Sequence, residues 1–270
     1  MTGSSGDGKP GLALLSLEGR RALVTGAGGG LGRQMALGLA EAGANLVICG
    51  RRPAALEASA ELIRAFGREV ITVPADVTVE EDVLRLGEAA GAIDILLNNA
   101  GIGPNQHWED VPLAEWRRAF ALNVDAQFRL IQLFAPAMME RGWGRIINVA
   151  SVYGKMGGNP DLYPGLDWDV PSYFASKHAV HGVTHYLAPR LARHGVTINS
   201  LSPGGFAGSE QNEASGMGSD EMLQVFHKAV PMGRMGGSED LKAAAVFLAS
   251  PGSAYVTGQD LVVDGGWTVW

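Results

Sequence analysis

The sequence predicts a doubly wound α/β fold, one sheet of seven parallel strands with helices on both faces. Three observations carry that expectation. Short apolar runs rich in β-branched residues alternate with longer amphipathic stretches along nearly the whole chain. The short runs are almost continuously apolar, as in strands covered on both faces. Of the 270 residues, 46% are hydrophobic and 18% charged, which supplies a large core and argues against disorder. No Pro/Ser linker, charge run or internal repeat divides the chain, so one domain is expected over residues 17–270. Residues 1–16 are expected to be a flexible tail, the first eleven holding four glycines and two serines.

Taken in order, Arg21–Thr25 is the first strand candidate, followed by a helical pattern at 31–42. Asn45–Gly50 is the second, followed by 53–66, and Val70–Asp76 the third, followed by 79–90. Ile93–Asn98 precedes a long pattern at 113–140, and Arg145–Ser151 precedes one at 172–194. Val196–Ser202 precedes 238–249, and Leu261–Asp264 closes the set. Each helical pattern is long enough to cross over between parallel strands. Two segments break the rhythm, 152–171 and 204–237, both rich in Gly, Pro, Asp and Ser. They follow the fifth and sixth strands, at the carboxyl edge where open α/β sheets bind ligands, and are expected to be substrate loops.

A net charge of -7 gives no global attraction to nucleic acid or anionic lipid, so neither partner is expected. The lone Cys49 cannot form an internal disulfide and reads as a small buried hydrophobe in a reducing compartment. No run is long enough to span a membrane, and a cytoplasmic protein with a small-molecule substrate is expected. His181 and His185 are four residues apart on the helix that also carries His178 and His194. No carboxylate shares that stretch, and a solvated or interface face is expected there rather than a metal site.

The first strand ends in Thr25-Gly26-Ala27-Gly28-Gly29-Gly30-Leu31-Gly32, with a helix pattern starting at Leu31. Glycines let backbone approach a pyrophosphate, and a helix N-terminus offers unpaired N–H groups and the positive end of its dipole. Gly26, Gly28, Gly30, Leu31 and Gly32 are therefore candidate dinucleotide contacts. The G-x-G-x-x-G spacing is not met, because Leu31 stands where a third glycine would be. The second strand closes with Gly50-Arg51-Arg52, with no acid to receive the adenosine ribose hydroxyls. An Arg pairs instead with a 2′-phosphate, a charge-assisted bond of about 1.5–3 kcal/mol, so Arg51 favours NADP(H) while leaving NAD(H) possible.

Asn98-Asn99-Ala100-Gly101 ends the fourth strand candidate, Ser151 ends the fifth, and Tyr173 and Lys177 share one face of the next helix. All three sets converge on one edge of the sheet. The chain here resembles the short-chain dehydrogenase/reductase family, in its compact branch, from about Leu17 to Trp270. The family's T-G-x-x-x-G-x-G is met by Thr25, Gly26, Gly30 and Gly32, and its N-N-A-G by residues 98–101. Asn123, Ser151, Tyr173, Lys177, Pro203-Gly204, Asp76-Val77 and the terminal Val263-Asp264-Gly265-Gly266 match further family positions.

The resemblance implies a Rossmann-like fold and hydride transfer between a nicotinamide and a carbonyl or alcohol. Tyr173 is then the general acid/base, Ser151 bonds the reacting oxygen, Lys177 binds the nicotinamide ribose, and Asn123 holds a water in a proton relay. Asp76, Val77, Asn99, Ala100, Gly101, Pro203 and Gly204 join the cofactor contacts. Tyrosine titrates near 10, so a useful base needs that value lowered, and a neighbouring ammonium and an oxidised nicotinamide both favour the phenolate.

Ser151 and Tyr173 lie 173 − 151 = 22 positions apart, wider than is usual in the family, which leaves an insertion beside the substrate. It carries Lys155, Asn159, Asp161, Tyr163, Asp167, Trp168 and Asp169, polar groups and aromatic faces suited to a polyhydroxylated ligand. Tyr153, Trp168 and His107 are candidate substrate contacts. The family often has a Thr five residues after the Pro of P-G, where this chain has Gly208. The terminal Gly265-Gly266-Trp267-Thr268-Val269-Trp270 resembles that of members acting on sugars, polyols and sugar acids, including gluconate, which are commonly tetramers. A homotetramer, or a homodimer, is therefore expected, with the terminal tryptophans at an interface or packed on their own subunit. Reduction of a 3-oxoacyl thioester is an alternative activity, and a nucleotide-sensing scaffold without turnover is one of another class.

Overall fold

The computed structural model describes residues 10–159, 169–207 and 220–269. Seven parallel strands form one sheet in the order β3-β2-β1-β4-β5-β6-β7. They are β1 Arg21–Thr25, β2 Asn45–Gly50, β3 Val70–Pro74, β4 Ile95–Asn98, β5 Gly144–Val149, β6 Val196–Pro203 and β7 Asp260–Val263. The helices between them are α1 Gly30–Glu41, α2 Pro53–Arg64, α3 Glu80–Ala90, α4 Leu113–Phe120, α5 Ala126–Arg141, α6 Pro171–Ala192, α7 Asp220–Ala229 and α8 Lys242–Ala249.

Successive strand residues face opposite sides of the sheet, and the burial follows that period of two. Val24 and Ile48 pack with Met35, Leu39, Leu56 and Leu248 from α1, α2 and α8. Their neighbours Leu23 and Val47 pack with Leu86, Leu130, Phe134 and Leu191 from α3, α5 and α6. The direction of strand addition reverses between β1 and its neighbour β4, opening a crevice at their carboxyl ends. All the candidate motifs sit around that crevice.

Several boundaries depart from the sequence expectation for local reasons. β4 begins at Ile95 rather than Ile93, because Asp94 turns its carboxylate to the backbone N–H of Arg21 (3.0 Å) and to the Arg20 guanidinium (3.2 Å). β5 ends before Ser151, whose hydroxyl caps a short 3-10 turn by accepting the Tyr153 N–H at 3.2 Å. The helical pattern at 113–140 divides into α4 and α5 around a π-turn, Ala121–Asp125, which holds Asn123. Within 204–237, read as a loop from its composition, α7 forms with Phe226 fully packed. Gly11–Leu15, within the segment expected to be a tail, makes a 3-10 helix with no buried side chain. Among the described residues no helix is long and apolar enough to cross a membrane.

Candidate active site

A cleft of about 1020 Å³ runs along the carboxyl edge, from Arg51 and Asp76 at one end, past the glycine turn, to Ser151, Tyr173 and Trp267. Backbone crowding explains the glycines of the turn. Gly26 has φ +68°, and a Cβ on it would stand 2.8 Å from the Asn99 amide nitrogen. A Cβ on Gly32 would lie 2.4 Å from the Gly26 carbonyl oxygen. Thr25 Oγ1 accepts the N–H groups of both Asn99 and Ala100 at 3.0 Å, and Asn99 Nδ2 donates to the Thr25 carbonyl at 2.9 Å. The amide of Asn99 thus braces the turn. Gly28, Gly30, Leu31, Ala100 and Gly101 line the cleft with it.

Arg51 and Arg52 follow β2 at the open end, both exposed and both lining the cleft. Among the described residues Arg51 has no acidic partner. Opposite it, Asp76 accepts the Thr78 hydroxyl at 2.7 Å and its own N–H donates to Asp82 at 2.7 Å, which fixes the bend after β3 beside the buried Val77. Pro203 and Gly204 end β6 in the cleft wall. A Cβ on Gly204 would meet the Asp264 backbone at 2.8 Å.

The other end gathers Ser151, Tyr173 and Lys177. The Ser151 hydroxyl is hydrogen-bonded to the Tyr173 side chain, and Gly103 lies against the Tyr173 ring. Lys177 is buried, its Nζ donating to the Val149 carbonyl at 2.7 Å and lying 5.4 Å from the centre of the Tyr173 ring. The lowering expected from the lysine and a bound nicotinamide has to work against the chain's own desolvation of the ring. Desolvation pushes the Tyr173 phenol above its ordinary range, with the Ser151 bond opposing, and desolvation pushes Lys177 down to about 8.

Asn123 is fully buried and brought beside this group, but its amide is already engaged. Oδ1 accepts the Ile102 N–H at 2.8 Å, while Nδ2 donates to the Ile102 carbonyl at 2.8 Å and to Ser176 Oγ at 2.9 Å. This pins the segment following Gly101 to α6. Both Nδ2 hydrogens are used, but Oδ1 keeps a second lone pair with room to accept a water beside these bonds.

Of the substrate candidates, Tyr153 lines the cleft, its ring stacked on Phe174 with centres 4.4 Å apart. His107 is exposed and does not reach the cleft. Trp168 lies outside the described residues, as do Asp161, Tyr163, Asp167 and Gly208 of the flanking loops. Asp169 is described and closes the insertion onto the segment after Gly101. It receives the Trp108 N–H on Oδ2 at 2.9 Å, donates its own N–H to Asn105 at 2.7 Å, and offers its carbonyl to the Gln106 N–H at 2.8 Å.

Sequence reasoning did not single out Phe226, which lines the cleft together with Trp267, the rings 5.0 Å apart. The apolar face of α7 was the available signal, obscured by the Gly- and Ser-rich residues around it. Trp267 is buried against its own subunit with Phe226, Val230 and Met235. Arg33 and Ser59 were also missed, although a basic residue directly after Gly32 and a serine on the apolar face of α2 were visible. His181 is buried against Gly154, and desolvation pushes it below its usual range. Among the described residues no three His, Cys, Asp or Glu side chains cluster as a metal site would require.

With this geometry in place, comparison with known proteins gives a consistent set of likenesses. The family model described as enoyl-(acyl carrier protein) reductase matches residues 26–268. Gluconate 5-dehydrogenase of Gluconobacter oxydans (strain 621H) is 40% identical over 261 residues, 95% of this chain and 97% of that protein. A short-chain type dehydrogenase/reductase from Mycobacterium marinum superposes with a TM-score of 0.88 at 36% identity, over 97% of this chain and 100% of the other. A gluconate 5-dehydrogenase from Burkholderia cenocepacia J2315, solved with NADP and tartrate, gives a TM-score of 0.86 at 35% identity over 97% and 100%.

Proposed function

The chain belongs to the short-chain dehydrogenase/reductase family, and from that premise we propose an NADP-preferring oxidoreductase that interconverts a secondary alcohol and a carbonyl on a polyhydroxylated substrate, a sugar, polyol or sugar acid. The observation that carries the reading is the convergence of Ser151, Tyr173 and Lys177 at one end of a glycine-lined cleft. The residues present fit the dinucleotide. Gly26 and Gly32 stand where any Cβ would collide with the turn itself, and Arg51, which has no acidic partner among the described residues, offers a cation for a 2′-phosphate. When bound, the nicotinamide supplies or accepts the hydride.

Tyr173 gives its phenolic proton to the carbonyl oxygen during reduction and takes the hydroxyl proton during oxidation. Desolvation favours its protonated form, the one that donates in reduction. Ser151 shares a hydrogen bond with Tyr173 and orients the same substrate oxygen. Lys177, anchored on the Val149 carbonyl, holds a positive charge beside the ring and favours the phenolate that reduction leaves behind. Asn123 acts by holding Ile102 and Ser176 in place. Gluconate in the name of one relative and tartrate in the structure of another support a hydroxylated acid as substrate. The polar insertion of 152–171 supports it independently.

The test begins with fluorescence titration of NADPH and NADH into the purified protein. NADPH binding tighter by about tenfold or more is expected, and Arg51→Ala should remove that preference while leaving NADH nearly unchanged. Equal affinity in the wild type overturns the NADP assignment and leaves the catalytic reading standing. A screen of polyols and sugar acids against apolar ketones tests the substrate class, and a clear preference for the ketones overturns it. The proposal places the protein in the cytoplasm as a homotetramer or homodimer, which light scattering after gel filtration would resolve.

A further inference from the structure

The glycine turn is held from its outer side by two side chains that do not line the cleft. Arg33, in the first turn of α1, donates from Nη2 to the Gly28 carbonyl at 2.6 Å and from Nε to Ser59 Oγ at 2.8 Å. Ser59, fully buried on α2, donates in turn to the Ala27 carbonyl at 2.8 Å, with the Ala55 carbonyl at 3.1 Å as a second acceptor. Two consecutive carbonyls of the turn are thereby tied to α1 and α2.

A trans peptide points its N–H opposite its C=O. Fixing the Ala27 carbonyl outward therefore directs the Gly28 N–H inward, and fixing the Gly28 carbonyl does the same for Gly29. Gly28 and Gly29 line the cleft, and among the described residues neither N–H has a protein acceptor. Two unpaired donors aimed into a cleft need an acceptor there, and a pyrophosphate has the oxygens to provide it. A glycine-rich turn is otherwise free to flip its peptides, which would turn carbonyl oxygens toward the anion.

From this geometry we infer that Arg33 and Ser59 are positioning residues for the pyrophosphate, a clamp that fixes the orientation of the Gly28 and Gly29 N–H groups. The inference rests on the dinucleotide reading above. Arg33 acts through the turn backbone, whereas Arg51 reads the adenosine end, so the two should separate experimentally. Loss of the clamp weakens whatever carries a pyrophosphate and leaves the choice between NADPH and NADH alone.

The experiment measures NADPH and NADH dissociation constants by fluorescence, and melting temperature without nucleotide, for Arg33→Met, Arg33→Lys and Ser59→Ala. In Arg33→Met and Ser59→Ala both constants should rise together by about tenfold, with their ratio held within about twofold. Arg33→Lys keeps a cation but not the fork, and should fall between wild type and Arg33→Met. Melting temperatures should stay within a few degrees of wild type. Constants unchanged within twofold overturn the clamp, as does an affinity loss that follows the melting temperature through the three variants. A change in the NADPH to NADH ratio also overturns it, since the side chain would then be reading the 2′-phosphate. A wild-type chain that binds neither dinucleotide overturns the parent reading and the clamp together, and is told apart by that result alone.

Discussion

Thr25 and Asn99 hold each other reciprocally: the Thr25 hydroxyl accepts the Asn99 N–H at 3.0 Å while the Asn99 amide donates to the Thr25 carbonyl at 2.9 Å. The same hydroxyl takes the Ala100 N–H, so one side chain joins the glycine turn after β1 to the segment after β4. Thr25→Val keeps the shape and strands two part-buried donors. A loss of about 2–4 kcal/mol in urea denaturation is expected, together with weaker NADPH binding, and Thr25→Ser should recover most of both. A Val variant as stable as wild type would mean that these bonds carry no net weight.

Tyr173→Phe removes the proton carrier and leaves the ring. Turnover should fall at least about hundredfold while the NADPH dissociation constant stays within a few fold. In the wild type, the raised Tyr173 pKa makes alcohol oxidation climb with pH into the alkaline range, whereas reduction is favoured at neutral pH. Turnover of the Phe variant near the wild-type rate would remove Tyr173 from the chemistry.

Lys177 links pH to stability. Burial makes the folded chain release this proton near pH 8, whereas the unfolded chain keeps it to about 10.5. Between those values the unfolded state binds the extra proton, so stability rises with pH through the window and is level on either side. The unfolding free energy of wild type relative to Lys177→Met should therefore increase by about 3 kcal/mol from pH 8 to 10.5, at about 1.36 kcal/mol per unit. A difference that stays flat across the window contradicts a buried, desolvated ammonium.

Trp267 is packed against Phe226 on its own subunit. Trp267→Ala should cost about 3–5 kcal/mol in denaturation and raise KM for the substrate more than for the dinucleotide. A loss below about 1 kcal/mol would show that the indole is not part of the folded core.

The sheet was legible because short β-branched, largely apolar runs alternate with amphipathic helices, and β1 and β2 match their expected bounds residue for residue. The site motifs were legible for a related reason, since a backbone with no room for a Cβ at Gly26 and Gly32 leaves an unmistakable string of glycines. What escaped were features that depend on partners distant in the chain. Ser59 looks like an ordinary polar residue until the Ala27 carbonyl, 32 residues earlier, is seen to accept from it. The π-turn at Asn123 leaves no compositional trace within a continuous helical pattern. Nor does a Tyr-x-x-x-Lys spacing disclose that Lys177 would donate to the Val149 carbonyl, or that desolvation would push the Tyr173 phenol up.

The strand order also sets a sequence of assembly during synthesis. The strands that carry the glycine turn and Arg51 are made by Pro74, while the Asn99 brace and the α8 cover of their face emerge later. β7 occupies the far edge and is made last, and Trp267 follows it by four residues. The wall that Trp267 and Phe226 form therefore closes only after Trp267 has been made. A message truncated before β7 would yield a product able to hold part of the nucleotide surface yet lacking the substrate end of its cleft.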